Sequence, residues 1–298
     1  MKNNKRVHFF KADSRLGMIN LPYGEEQLNL GVEDGPDAVL SEKFVSTFQS
    51  CPGITKYKFP FPEDIDRLDY EPALYRSLKE FGEVINQNLK TNEIQVVVGG
   101  DHAVAMSSLI AVLGRMPAAS VGYIQFDSHG DLHTFATSPS GNFHGMWLRP
   151  FLGQFDKPMI DSLVPQKLQP NQILYIGNLT LESEEVTFMH RNQITNLTRE
   201  QLVAEPWKSR LFLEKFLKRF PHIHVSFDID VFDKSVVKAT GTPSKAGLFL
   251  EDVDPLLELL AQHQDISIDL VEVNPKKAGA DGTIKVAREV LTKLLPNW

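Results

Sequence analysis

Short apolar runs, separated by turn residues and by stretches of helical periodicity, set the layout of this chain. Val7–Phe10, Ile94–Val98, Val121–Phe126, residues 172–176, residues 222–227 and Ile266–Leu270 are each short and β-prone. Runs of that length, bounded by loop residues, read as strands of a buried, mainly parallel sheet. Between them the period changes. Leu74, Leu78, Phe81, Val84, Ile85 and Leu89 recur at helical spacing, which predicts a helix over Leu74–Leu89. Further helices are expected at Ala103–Leu113, Arg210–Arg219, Val253–His263 and Thr283–Leu295. Leu16–Pro36 reads as loop, ending in a turn at Gly31–Pro36 that starts a helix with Pro36 in its first turn. Residues 52–72, with several prolines and acids, read as a surface crossing that contains one short strand. Strands alternating with helices imply an α/β fold, a three-layer α-β-α sandwich. No repeat, low-complexity tract or linker divides the 298 residues, so one domain over 1–298 is expected.

Several of these strands end alike. After Phe126 the polarity inverts, and Asp127, His129 and Asp131 follow at steps of two. Side chains two apart on an extended backbone point to one side. Alone, the string could be a loop whose acids cap a helix or face solvent. But Ile94–Val98 runs into Gly99-Gly-Asp-His102, residues 222–227 run into Asp228 and Asp230, and Ile266–Leu270 runs into Glu272. Parallel strands bring their carboxyl ends to one edge, where open α/β sheets place ligand sites. The four carboxylates of Asp127, Asp131, Asp228 and Asp230, gathered there beside two imidazoles, repel one another unless cations hold them. Their number suits a pair of divalent ions, and their oxygen and nitrogen donors suit Mn²⁺ or Zn²⁺.

Composition narrows the partners rather than the fold. The net charge of −7 is modest, and beyond Lys2–Arg6 no stretch is notably basic, so nucleic acid is not expected. No apolar run approaches membrane-spanning length, and the N-terminus lacks the apolar core of a signal peptide. A single cysteine, Cys51, excludes an internal disulfide and reads as a packing residue. The expectation is a cytoplasmic protein with a small-molecule substrate. The abundance of Phe reads as core packing. His190, His222, His224 and His263 fall outside every motif and read as ordinary residues, and Asp233 as a turn residue.

Gly99-Gly-Asp-His102, Asp127-Ser-His-Gly-Asp131, Ser226-Phe-Asp-Ile-Asp230 and Glu272-Val-Asn-Pro275 resemble, in order and spacing, the motifs of the arginase (ureohydrolase) family. Ser138-Pro-Ser-Gly-Asn-Phe-His144 and Ala239-Thr-Gly-Thr-Pro243 are most similar to its arginase branch. The resemblance implies an arginase-like fold, two Mn²⁺ per chain and hydrolysis of a guanidino compound to urea and an amine, L-arginine first. It implies one ion on His102, Asp127, Asp131 and Asp228, and the other on His129, Asp127, Asp228 and Asp230. Glu272 would pair with the guanidinium, Asp131 would hold the attacking hydroxide, and His144 would pass a proton to the leaving amine. Ser140 and Asn142 would bind the substrate's α-carboxylate. Asp101 would back the ligands or cap the following helix, and Thr240–Pro243 would be a supporting turn. A trimeric or hexameric homo-oligomer is a further implication.

Three positions depart from the pattern. His133 stands where the family carries Asn to meet the α-carboxylate. Leu179-Thr180 replaces an Arg-Asp pair, with Glu182 at the position of the acid that meets the α-amino group. Lys234 stands where Pro is common. None is a metal ligand, so the departures bear on the substrate, with agmatine, a formimino compound or another guanidino acid as alternatives. Two other readings are a binuclear phosphoesterase, disfavoured because basic residues are not apparent near the strand ends, and a non-catalytic relative.

Overall fold

The computed structural model describes residues 5–19, 29–48 and 51–295; part of the loop expected over Leu16–Pro36, residues 20–28, lies outside them. Eight strands form one sheet in the order β2-β1-β3-β8-β7-β4-β5-β6, every neighbouring pair parallel. They are β1 (Arg6–Asp13), β2 (Gly53–Lys58), β3 (Glu93–Gly99), β4 (Val121–Phe126), β5 (Ile173–Ile176), β6 (Thr195–Leu197), β7 (His222–Asp228) and β8 (Ile266–Val271). The chain builds β1 to β3, jumps to β4, grows outward through β5 and β6, and returns with β7 and β8 to fill the gap. The strands that carry the acidic ends therefore sit side by side at the centre.

Alternate residues of each central strand feed two cores. Val96, Val98, Ile124, Phe126, Val225 and Phe227 pack beneath helices Pro206–Leu217, Leu250–Leu260 and Ala280–Leu294. Val97, Val121, Tyr123 and Tyr175 pack beneath helices Tyr70–Asn88 and Val104–Arg115. Both faces are covered, which is why β3, β4, β7 and β8 are buried throughout. The three-layer expectation holds, and the sheet is wholly rather than mainly parallel.

Each expected strand and helix is present, with ends shifted by a few residues. Pro36 lies in the first turn of helix Gly35–Val39, and the strand expected within 52–72 is β2. Among the elements not anticipated are β6, helices Ser183–Asn192 and Arg199–Ala204, and the single-turn helices Glu42–Val45 and Pro158–Asp161. β6 is a three-residue edge strand, too short for a period-two signal. In Ser183–Asn192 the buried apolar residues are the adjacent Phe188 and Met189 while Val186 faces solvent, so helical spacing never develops. Cys51 is half-buried ahead of β2 and packs against the core.

Candidate active site

Strand register decides which side chains meet. β4 and β7 pair Phe126 with Phe227, so the next residues, Asp127 and Asp228, leave the edge side by side. β7 and β8 pair Asp228 with Val271, which sets Glu272 beyond them. β3 joins from the other side through Val98 and Leu270, and Glu272 N–H donates to the Gly100 carbonyl at 2.8 Å. That bond holds His102 over the same edge. Gly100 is obligatory here, because a Cβ would lie 1.8 Å from the Ser14 carbonyl oxygen.

Two groups of ligand atoms result. His102 Nδ1 faces Oδ2 of Asp131, Asp127 and Asp228 at 2.9, 3.2 and 3.3 Å. His129 Nδ1 lies 3.1 Å from Asp230 Oδ2 and 3.5 Å from Asp127 Oδ1. Asp127 thus gives one oxygen to each group. Asp228 turns Oδ2 to the first group, while its Oδ1 accepts the Asp230 N–H at 2.9 Å. His102 Nδ1 is buried and makes no hydrogen bond despite three carboxylate oxygens around it. An imidazole nitrogen and several carboxylate oxygens aimed at one point, without bonding to one another, is a donor set that fits a metal ion. The opposite nitrogen, Nε2, sits 3.0 Å from Ser226 Oγ, which can accept its proton in the tautomer that leaves Nδ1 available.

A second set of residues holds the carboxylates from behind. Tyr123 O–H donates to Gln125 Oε1 at 2.7 Å, orienting the amide so that Nε2 donates to Asp127 Oδ2 at 2.6 Å and Asp131 Oδ2 at 3.2 Å. The buried Trp147 indole donates to Asp131 Oδ2 at 2.8 Å. Thr242 O–H donates to Asp230 Oδ2 at 3.0 Å, and Ser128 O–H to the Asp230 carbonyl at 2.8 Å. Asp131 and Glu272 both adopt left-handed backbone, with φ of 53° and 67°. Non-glycine residues persist there only where surrounding contacts over-determine them, as functional sites do.

The electrostatics ask for positive charge. Burial, then the neighbouring Asp230 and Asp127 carboxylates, push the Asp228 carboxyl well up. Burial pulls the His102 and His129 imidazoles down, but the acids around them win and leave both raised. Burial also lifts Asp101, with Glu272 adding to it, to about 7. Asp101 is not a cap: the following helix has no side-chain cap. It instead accepts the Gly17 N–H and the Ser14 hydroxyl, tying the segment after β1 to the site.

The ligands floor a cleft of about 250 Å³. His133, Ser140, Asn142, His144, Glu182 and Glu272 all line it, so every residue singled out in the sequence for substrate or proton transfer is here. Glu272 Oε1 accepts the His102 N–H at 2.9 Å, and Oε2 accepts from the Asn29 amide. His144 Nδ1 lies 3.6 Å from Glu272 Oε1. His133 Nε2 is 3.0 Å from Glu182 Oε2 and 3.5 Å from Glu185 Oε2. His190, His222, His224 and His263 do not line the cleft, and Asp233 accepts from Ser235 within its own turn. Sequence reasoning missed Asn29, Gln125, Trp147 and Glu185, while Thr242 belongs to the turn expected to support the site. It also missed a neighbouring cleft beside His129 lined by Lys238, Lys245 and Lys277, so basic residues do lie near the strand ends.

The family model that matches this chain is that of the arginase family, over residues 14–296. An arginase of Staphylococcus aureus (strain MRSA252) is 31% identical over 277 residues, 87% of this chain and 90% of its own. An arginase of Entamoeba histolytica is 30% identical over 271 residues, again 87% of this chain and 90% of its own. The crystal structure of Entamoeba histolytica arginase in complex with L-ornithine superposes with a TM-score of 0.84, at 25% identity, covering 98% of this chain and 99% of that one. The motifs at the strand ends, the sheet order and these matches agree, and the chain is a hydrolase belonging to the arginase family.

Proposed function

We propose that this protein is a binuclear manganese amidinohydrolase that cleaves L-arginine to L-ornithine and urea, with the whole site carried on one domain. The observation that carries the reading is the buried Asp127, one oxygen toward each of two imidazole–carboxylate groups whose His102, His129, Asp131, Asp228 and Asp230 line the cleft that also holds Glu272 and His144. His102, Asp127, Asp131 and Asp228 would hold one ion, and His129, Asp127, Asp228 and Asp230 the other. Such a pair supplies Lewis acidity and brings the pKa of water near neutrality.

The chain's own residues do the rest. Glu272, fixed by N–H donors from His102 and Asn29, presents a carboxylate to the planar guanidinium. Asp131, its carboxylate held from behind by Trp147 and Gln125, would position the attacking hydroxide as a hydrogen-bond acceptor. His144 would deliver a proton to the leaving amine. Burial lowers its pKa, but the Glu272 carboxylate 3.6 Å away, with Asp101 and Asp131 adding to it, outweighs burial and leaves it raised, so the imidazole keeps its proton to higher pH than when free. Ser140, Asn142, His133 and Glu182 ring the outer end, where the substrate tail would lie.

A cytoplasmic homo-oligomer, trimer or hexamer, completes the reading on the strength of the family resemblance. No helix among the described residues is long and apolar enough to cross a membrane, and light scattering reads the assembly. The deciding assay is urea release by the Mn²⁺-loaded protein from L-arginine, agmatine and other guanidino acids, with ammonia or formamide release scored for formimino compounds. Turnover of arginine is expected to exceed the others. No urea from arginine at millimolar concentration dismisses it as the substrate.

A further inference from the structure

We propose that His133 is a specificity-determining residue that blunts recognition of a substrate's tail amine, because its imidazole already fills the place between Glu182 and Glu185 that an ammonium would take. The inference rests on reading the cleft as the site of a guanidino substrate, and it concerns only the outer end.

Both ring nitrogens of His133 are engaged. Nε2 lies 3.0 Å from Glu182 Oε2 and 3.5 Å from Glu185 Oε2, and Nδ1 lies 3.2 Å from Thr137 Oγ1. The His133 side chain is almost wholly buried, so the contact is shielded from solvent. Glu185 is fixed independently. Its Oε1 accepts the Leu132 N–H at 3.1 Å and its Oε2 the Glu182 N–H at 3.3 Å, in the capping box that opens helix Ser183–Asn192. The Glu182 side chain is 54% exposed; its Oε2 meets His133 Nε2, and the side chain also accepts from the backbone in that capping box.

An ammonium has three donors and no acceptor, so it binds where carboxylate lone pairs converge. Here the convergence point of the two glutamates is occupied by an imidazole N–H. A tail amine must displace His133, which leaves a buried ring nitrogen unsatisfied, or settle for the outer, solvated edge of Glu182, where an ion pair contributes little. The consequence is a site that grips the guanidinium end firmly and reads the tail amine weakly. An Asn at 133 ends one bond nearer the backbone and would leave the two carboxylates open.

The test compares ligands that differ only in that amine, on the Mn²⁺-loaded protein. Calorimetry gives the affinities of L-ornithine and 5-aminopentanoate; kcat/KM is measured in parallel for L-arginine and 5-guanidinopentanoate. In the wild type the amine is expected to contribute less than about threefold to either quantity. His133→Asn is expected to raise that ratio to about tenfold or more, by improving the amine-bearing ligand while the des-amino ligand moves less than about threefold. Glu182→Gln, a conservative change, is expected to cancel the gain in the His133→Asn background. A wild-type ratio already above tenfold, or one indifferent to His133→Asn, overturns the proposal. So does a third bound ion that is lost on His133→Asn, since His133 would then be a ligand. Failure of all four compounds to bind or react would sink the guanidino reading of the cleft instead.

Discussion

Strands β7 and β8 take part in two groups of Asp and His with opposite destinies, one along their own length and one shared with the ends of β3 and β4. In mid-sheet, His224 Nε2 meets Asp269 Oδ2 at 2.8 Å and Nδ1 meets Ser267 Oγ at 2.7 Å. His222 Nε2 meets the same Ser267 hydroxyl at 2.8 Å, and Nδ1 lies 3.2 Å from Asp265. There each imidazole has one carboxylate. At the carboxyl edge, His102 Nδ1 alone faces three. Residue type is alike; the ratio of acids to imidazoles is not. One-to-one pairs can neutralise each other in a low dielectric, whereas four carboxylates against two imidazoles leave negative charge that only cations can offset. A metal site is therefore distinguished from a structural knot by convergence, not by the presence of Asp and His.

Mutations that separate charge neutralisation from structural pairing test that distinction most directly. Asp127→Asn removes the one carboxylate that serves both groups. The metal content is expected to fall from two ions per chain, read by elemental analysis, and urea release to drop by more than about a thousandfold, because water is no longer acidified. Asp269→Ala in mid-sheet should do the reverse. It strands a buried imidazole and is expected to lower unfolding stability by about 3–5 kcal/mol in urea titrations while two ions per chain are kept. If Asp269→Ala emptied the metal site and left stability intact, the contrast between the two groups would be wrong.

How far the sequence revealed this follows from where each signal lies. Asp127, His129, Asp131, Asp228, Asp230 and Glu272 are legible because they interrupt apolar runs at steps of two, and a parallel sheet has only one edge to which such ends can go. His102 follows from Gly99-Gly100, where β3 ends. The residues behind the ligands are harder to see. Gln125 was inside a run read simply as strand, although a lone amide two places before Asp127 shares its face and was a usable clue. Trp147 and Asn29 reach the site through loops, and no periodicity reports on a loop. Glu185 was visible only as one acid among several after Leu179-Thr180. Its pairing with His133 depends on helix Ser183–Asn192, whose apolar spacing was too sparse to read.

The donors behind Asp131 sharpen the comparison at a smaller scale, since they bear on the ions without touching them. Trp147→Phe keeps an aromatic ring of related shape in the buried slot and deletes only the N–H aimed at Asp131 Oδ2. Gln125→Leu deletes the donors to Asp127 and Asp131 and leaves Tyr123 without an acceptor. Each is expected to weaken ion affinity by about 10–100-fold in chelator competition, as loss of a supporting hydrogen bond commonly does. The effect of Gln125→Leu should be the larger of the two, because it acts on the shared Asp127. Unchanged ion affinity in both variants would show that convergence of the ligands alone fixes the site.

The smallest expected effect concerns the His133 group, which stands between the two extremes with two carboxylates to one imidazole. Burial, then the adjoining Glu182, raise the Glu185 carboxyl to about 8, from an ordinary value of 4.5. A carboxyl whose folded-state pKa is raised favours folding fully only below its unfolded value. Its contribution is lost progressively as pH climbs from about 4.5 through 8, because the folded protein must then hold the buried Glu185 charge beside the Glu182 carboxylate or keep a proton that water would take. Glu185→Gln keeps the acceptor for the Leu132 N–H and is indifferent to pH. Melting temperatures of variant and wild type should lie closest near pH 5 and diverge in favour of the variant toward pH 8.5, by a few degrees. A pH-independent difference would mean that Glu185 stays ionised across the range, and that one imidazole is enough for two carboxylates.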